Sequence, residues 1–301
     1  MMYLCNFLLS FAFATGIHTE DIPCPIGTQE DYAKIYYVLS TNEFGGYDSD
    51  GATYSSGMQY RTYAISSCTL SLFSAFTKDM KQSFSDTEKK AINAILQTEK
   101  KQLQDPQSPT VWERYNIAAE IYRWQEKPAK FLGDLYLEAA WTVRDEAVGI
   151  HQGLHGPEVA DQVLQEGKKE LNKNLSNEQR KMVVYNLARV AHRNARYAER
   201  DMYIQQFLAL PYLTNDEIAA GMRFIELTSR IEPVYLRRAL QEYLLHVQNS
   251  PNDGQTLYII ADIYRRLGEK EKSEEYFRKA NLTSDLQEEQ RHIILYLSQH
   301  P

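Results

Sequence analysis

The chain has 301 residues, about two domains' worth at ~150 residues each, and a hydrophobic share of 43%, enough for a sizeable core. Lys plus Arg number 33 against 40 for Asp plus Glu, a net charge of −7, which argues against a general nucleic-acid binder. No apolar run reaches the ~20 residues a membrane span needs, and three cysteines cannot build a disulfide scaffold.

At the N-terminus, Leu4 to Ala14 is apolar and ends in Ala12-Phe13-Ala14, a small-x-small cleavage pattern. This predicts a secretory signal peptide over 1–14 and an exported, periplasmic or extracytoplasmic protein, although the basic residue usual near the start is missing. If the segment is not cleaved, it reads as a buried N-terminal element of a cytoplasmic protein. Cleavage leaves only Cys24 and Cys68, which either form a disulfide in an oxidising compartment or remain free, buried thiols.

Six of the fourteen glycines lie between Gly16 and Gly57, around the turn-forming run Gly45-Gly46-Tyr47-Asp48-Ser49-Asp50-Gly51. The flanking Lys34–Ser40 and Tyr60–Ser66 are rich in Tyr, Val, Ile and Thr and alternate as strands do, so residues 20–80 are predicted to form a small β-containing module. From Ser85 onward the texture becomes helical. Capping signals and the prolines at 128, 157, 211, 233 and 251 divide it into helices at 86–103, 110–125, 128–147, 157–173, 177–194, 196–209, 215–230, 233–248, 253–267, 269–281 and 285–299.

Short helices joined by short turns call for a repeat search. The clearest unit runs from Leu257 through Ala261, Tyr264 and Gly268 to Ser273, Phe277 and Ala280, the tetratricopeptide layout. Small residues let paired helices approach, aromatics fill the gap to the next pair, and Gly permits the turn. Weaker units surround Ala118-Ala119 and Ala188-Ala191. Ala188 to Gly221 spans 33 residues and Gly221 to Ala261 spans 40, close to one repeat each. The fold class is therefore mainly α, a helical-hairpin solenoid over 85–301 behind the β-containing module.

The chain resembles the bacterial family grouped as domain of unknown function 2225, through Cys24-Pro25-Ile26-Gly27-Thr28, Ser40-Thr41-Asn42-Glu43-Phe44-Gly45, Asp48-Ser49-Asp50, Cys68, Leu135 to Trp141 and Leu187 to Ala198. The resemblance implies a zinc-ribbon-like N-terminal segment followed by tetratricopeptide-like helices. Its two C-P-x-C-G knuckles are degraded here: the first reads CPIG and the second has Ser71 where a thiolate would stand. Two cysteines cannot close a tetrahedral zinc site, so no metal is expected and a disulfide would pin the module's ends in its place.

Asp48 and Asp50 begin like a calcium loop, but Gly51 and Gln59 stand where the ligand spacing fails, leaving them weak metal candidates. His151 and His155 are four apart, yet Gly149, Gly153 and Gly156 interrupt any helix there. No nucleophile elbow, phosphate loop or zinc-protease motif is present, so neither a catalytic residue nor a cofactor is assigned. Tyr122, Tyr185, Tyr243, Tyr258, Tyr264 and Tyr276 recur at helix-packing positions and read, with Trp112, Trp124 and Trp141, as inter-helix filler. On a solenoid's concave face the register places Asn116, Glu120 and Arg123, then Tyr185, Arg189 and His192, then Tyr258, Asp262 and Arg265, with Arg193 and Arg266 adjoining. These arginines either grip a partner's carboxylates or serve as solvated charges paired with nearby Glu. The expected function is a protein-binding scaffold or assembly subunit with a protein partner, such as an acidic peptide or a subunit of an envelope assembly. The alternatives are a metal or thiol-redox module at Cys24 and Cys68, and an enzyme of unrecognised type.

Overall fold

A computed structural model describes residues 17–38, 44–55, 59–149 and 153–300. The proposed signal segment 1–14, the Ser40 to Glu43 stretch of the family motif and His151 lie outside the described residues.

The N-terminal part consists of three antiparallel pairs. β1 (Ile17–Pro23) pairs with β2 (Tyr32–Val38), setting Ile22 opposite Ala33. β3 (Phe44–Tyr47) pairs with β4 (Thr53–Ser55) across the acidic turn, with a register shift between Phe44 and Gly46. β5 (Ile65–Ser67) pairs with β6 (Ser74–Phe76). The strand predicted over Tyr60–Ser66 is only half realised, because Arg61–Ala64 form the short helix α1. The helical turn directs both Arg61 and Ala64 inward, where Arg61 donates to Asp145 at 2.6 Å and to the Thr53 carbonyl, while Tyr115 donates to the Arg61 carbonyl at 2.9 Å. The Cys24–Cys68 disulfide is formed, with Cα atoms 5.8 Å apart, and links the end of β1 to the β5–β6 turn.

The helices follow the capping signals closely. α2 (Asp86–Lys100), α3 (Val111–Trp124), α6 (Asn177–Arg193) and α8 (Asn215–Glu226) each start with a reciprocal capping box, at Ser85/Glu88, Thr110/Glu113, Ser176/Gln179 and Thr214/Glu217. The others are α4 (Ala129–Val148), α5 (Gly156–Leu171), α7 (Tyr197–Leu208), α9 (Glu232–Asn249), α10 (Gly254–Arg266), α11 (Lys270–Asn281) and α12 (Glu288–Gln299). Among the described residues, no helix is long and apolar enough to cross a membrane.

Three hairpins, α3/α4, α6/α7 and α10/α11, turn in one way. Each places a residue of positive φ at the corner, Glu126, Ala195 and Gly268, and the next amide, Lys127, Arg196 and Glu269, reaches back five residues to the carbonyl of Tyr122, Ala191 and Tyr264. Between α8 and α9 there is no corner. Pro233, predicted to separate two helices, sits in the first turn of α9, and Leu227–Ile231 form a π-helical segment that carries the chain from one helix into the next. A proline lacks an N–H and crowds the preceding turn, and the widened turn accommodates both defects.

α4 lies along α9 as the most extensive helix contact, close enough that a Cβ on Gly133 would stand 2.8 Å from the Tyr243 ring. One continuous core runs from Ile22 in β1 to Tyr264 in α10, and a smaller one joins Leu257, Phe277, Leu286 and Ile293. The tyrosines are more deeply set than filler with a wet hydroxyl: Tyr122, Tyr243 and Tyr258 are at most 1% exposed and their hydroxyls donate to Asp79, Asp134 and the Ser49 carbonyl.

Candidate functional site

The acidic turn between β3 and β4 is tight. Asp48 N–H donates to the Ala52 carbonyl at 2.9 Å, Gly51 N–H donates to the Asp48 carbonyl at 3.0 Å, and Gly51 adopts φ 83°, which favours glycine. Asp48, Ser49 and Asp50 are all buried, because the turn is inserted between α4, α6 and α10.

Three buried guanidiniums meet it. Arg144 of α4, fully buried, donates through Nη1 to Asp48 at 3.0 Å, through Nη2 to Asp50 at 2.7 Å, and through Nε to Glu232 at 2.9 Å. Arg193 of α6 donates to Asp48 at 2.9 Å and to the Gly149 carbonyl at 2.6 Å, with its guanidinium over the Tyr54 ring at 4.4 Å. Arg266 of α10 pairs with Asp262 at 2.8 Å and Asp50 at 3.1 Å. Arg265 donates to Asp262, to the Asn194 carbonyl and to Ser49 Oγ, and Trp141 Nε1 donates to Asp50 at 3.0 Å.

Glu232, placed inward where the π segment meets α9, joins this network to His192, whose Nε2 lies 2.6 Å from Glu232 Oε2. Arg200 lies 3.4 Å from His192 Nδ1; a guanidinium can only donate, so Nδ1 accepts and Nε2 carries the proton. Burial lowers the His192 pKa from its ordinary value, with Glu232 opposing, so the neutral ring is favoured. Burial alone would raise the Asp50 carboxyl, but Arg144 and Arg266 outweigh it and hold the group far below the usual carboxylate range. The same contest, with Arg144 and His192 prevailing over burial, brings Glu232 down to about 2.

Of the residues expected on a concave surface, Tyr258, Asp262, Arg265, Arg266, His192 and Arg193 converge on the chain's own acidic turn, and all but Arg265 are almost fully buried, which corrects their placement on an open face. Arg189 spans to the Val148 carbonyl and Asn186, and Tyr185 packs on Phe207 at 4.8 Å. Arg123 stays apart, with 42% of its side chain exposed, and donates to Glu242 at 2.8 Å, to the Tyr136 hydroxyl at 3.1 Å and to Glu120 at 3.4 Å. Asp48 and Asp50, considered for calcium, have their carboxylates taken by arginine, and a cation there would face three guanidiniums.

Sequence reasoning missed Arg144 and Glu232. A signal for Arg144 existed: it falls on the stripe Leu137, Ala140, Arg144, Ala147 and Val148, all buried, where a charge demands a partner. Glu232 was hidden by the reading of Pro233 as a break.

Near the disulfide, Cys24, Asp31 and Cys68 offer ligand atoms within 4.8 Å of one another. The sulfurs are bonded to each other, and the Asp31 carboxylate accepts from the Leu70 N–H at 2.8 Å and the Ser71 N–H at 3.0 Å. A Cβ on Gly27 would stand 2.2 Å from Asp31 Oδ2, so this carboxylate fills the space that a side chain at position 27 would need.

No curated protein and no solved structure matches the chain. One family model does, over residues 17–297, and it is described as an uncharacterised protein conserved in bacteria. A match of that extent, which takes in α1 to α11, most of α12 and the ionic core, makes the chain a member of the domain of unknown function 2225 family.

Proposed function

We propose that the protein is a non-catalytic scaffold or assembly subunit that binds another protein through its tetratricopeptide-like helical array, in an extracytoplasmic compartment. The observation that carries this reading is the engagement of Arg144, Arg193, Arg265 and Arg266 by the acidic turn within the chain itself. Their charge locks strands to helices and holds a fixed surface, which suits recognition. Arg123, outside that network, is the residue of the expected partner set that a bound protein reaches most directly. The intramolecular disulfide supports an oxidising compartment. Cys68 is 1% and Cys24 8% exposed, which supports a structural bond over a thiol-exchange centre. Reciprocal affinity capture tests the reading. The intact oxidised protein is expected to retain a partner from its native source in constant ratio, and the purified partner to retain the protein in return. Failure of the return capture, together with turnover of a small molecule by the isolated chain, overturns it.

A further inference from the structure

A groove of about 740 Å³ opens between the α6–α7 corner, α11 and α12, and touches the ionic core through Arg265, which lines it and donates to Ser49. Its inner wall is apolar, formed by Tyr197, Ala198, Phe277, Ile294 and Leu297. Its roof is poorly anchored. Among the described residues α12 buries only Ile293, and it is tied down by Tyr296, which donates to Asp161 at 2.8 Å, and by Arg291 on the Asn281 and Thr283 carbonyls. Ile294 and Leu297 pack against the smaller core but stay only partly buried, and a twelve-residue helix has little stability of its own in water, so apolar contact from inside the groove would bury them further.

The lining carries both signs, Asp161, Glu199 and Glu274 beside Arg196, Arg265, Lys270 and Arg278, and the pairing among them decides which charge is left over. Arg196 is consumed by Asp161 and Glu199, and Arg265 by Asp262, Asn194 and Ser49. The two cations contributed by α11 are not. Lys270 meets Glu274 only at 4.0 Å, with both side chains mostly exposed, and Arg278 makes no hydrogen bond or ion pair among the described residues. They stand eight residues apart on one helix, about 12 Å at 1.5 Å per residue, with Phe277 between them in sequence. The volume lies in the range of pockets that enclose a small organic ligand.

We propose that this groove binds a free medium-chain carboxylic acid, with the alkyl chain against Phe277, Ile294 and Leu297 and the carboxylate held by Arg278. The site is independent of the scaffold reading. Calorimetric titration of the full oxidised chain with sodium decanoate, and with methyl decanoate to represent an esterified acyl group, tests it. The expected result is one-to-one saturable binding of decanoate with a Kd on the order of 10–100 µM, and weaker binding of the ester. Arg278→Gln, an exposed position that leaves the fold intact, should weaken decanoate about five- to tenfold and leave the ester within about twofold. Ala198→Trp should fill the groove and abolish both. Absence of saturable decanoate binding, equal losses for acid and ester in Arg278→Gln, or tighter binding of an acidic-apolar peptide than of decanoate would each overturn the proposal.

Discussion

Arg144 carries a full charge to a position with 0% exposure, which is tolerable only because its donors meet Asp48, Asp50 and Glu232. Removing one member of such a network costs more than the network itself contributes, since the survivors stay buried without compensation. Arg144→Met should therefore lower unfolding free energy by roughly 3–5 kcal/mol in urea titrations, far more than loss of the exposed Lys270–Glu274 pair. A pH series is expected to show the same residues. His192 and Glu232 have folded pKa values below their unfolded ones, so each contributes stability at neutral pH that acid removes: the His192 share from about pH 6.5 downward, the Glu232 share progressively between 4.5 and about 2. Glu138, pushed up to about 7 by burial, gains stability on protonation and opposes the His192 share between about 7 and 4.5, so thermal melts should fall clearly only below about 4.5, and a flat profile there would contradict the Glu232 assignment. The two cysteines were legible as a pair but not as a bond, since proximity depends on β2, the partner of β1, meeting the end of β5 through an isolated bridge between Ala33 and Cys68.

Helix boundaries could be read because capping is local: Ser85, Ser176 and the first turn of α8 announce themselves within four residues. The repeat was harder to read because only one of three equivalent corners uses glycine. Ala195 takes φ 55° and Glu126 takes φ 58°, each doing with a Cβ what Gly268 does without one. Ala195→Gly is accordingly expected to raise the unfolding free energy from urea titration by about 0.5–1 kcal/mol, whereas the same change at a helical alanine such as Ala188 should lower it. The π segment was not legible at all. The widened turn accommodates Pro233 and leaves Glu232 bonded to Arg144, but nothing local to Leu227–Ile231 distinguishes it from an ordinary helix end before a proline.

The N-terminal strands and the helices share one hydrophobic core and one set of ion pairs. Composition alone draws a border near residue 80, where glycine and β-branched residues give way to helix formers; the long-range pairing that crosses this border leaves no mark in either segment. Denaturation should accordingly be a single transition, with tryptophan fluorescence, which reports Trp112, Trp124 and Trp141 in the helices, coinciding with far-ultraviolet circular dichroism. Asp50→Asn should bring the transition to lower denaturant while keeping it single. Two separated steps in the wild-type chain would show that the contacts are too weak to couple the parts.

The link between Ser49 and Tyr258, 209 positions apart, has a consequence for biosynthesis. The acidic segment emerges early and can meet Arg144 of α4 and Arg193 of α6 as those helices follow, yet the α10 groups that complete its pairing are made near the end. Until then Ser49 and one face of Asp50 lack their partners Tyr258, Arg265 and Arg266. Completion of the native state thus waits for α10, and a chain arrested upstream of it keeps the acidic turn only partly paired.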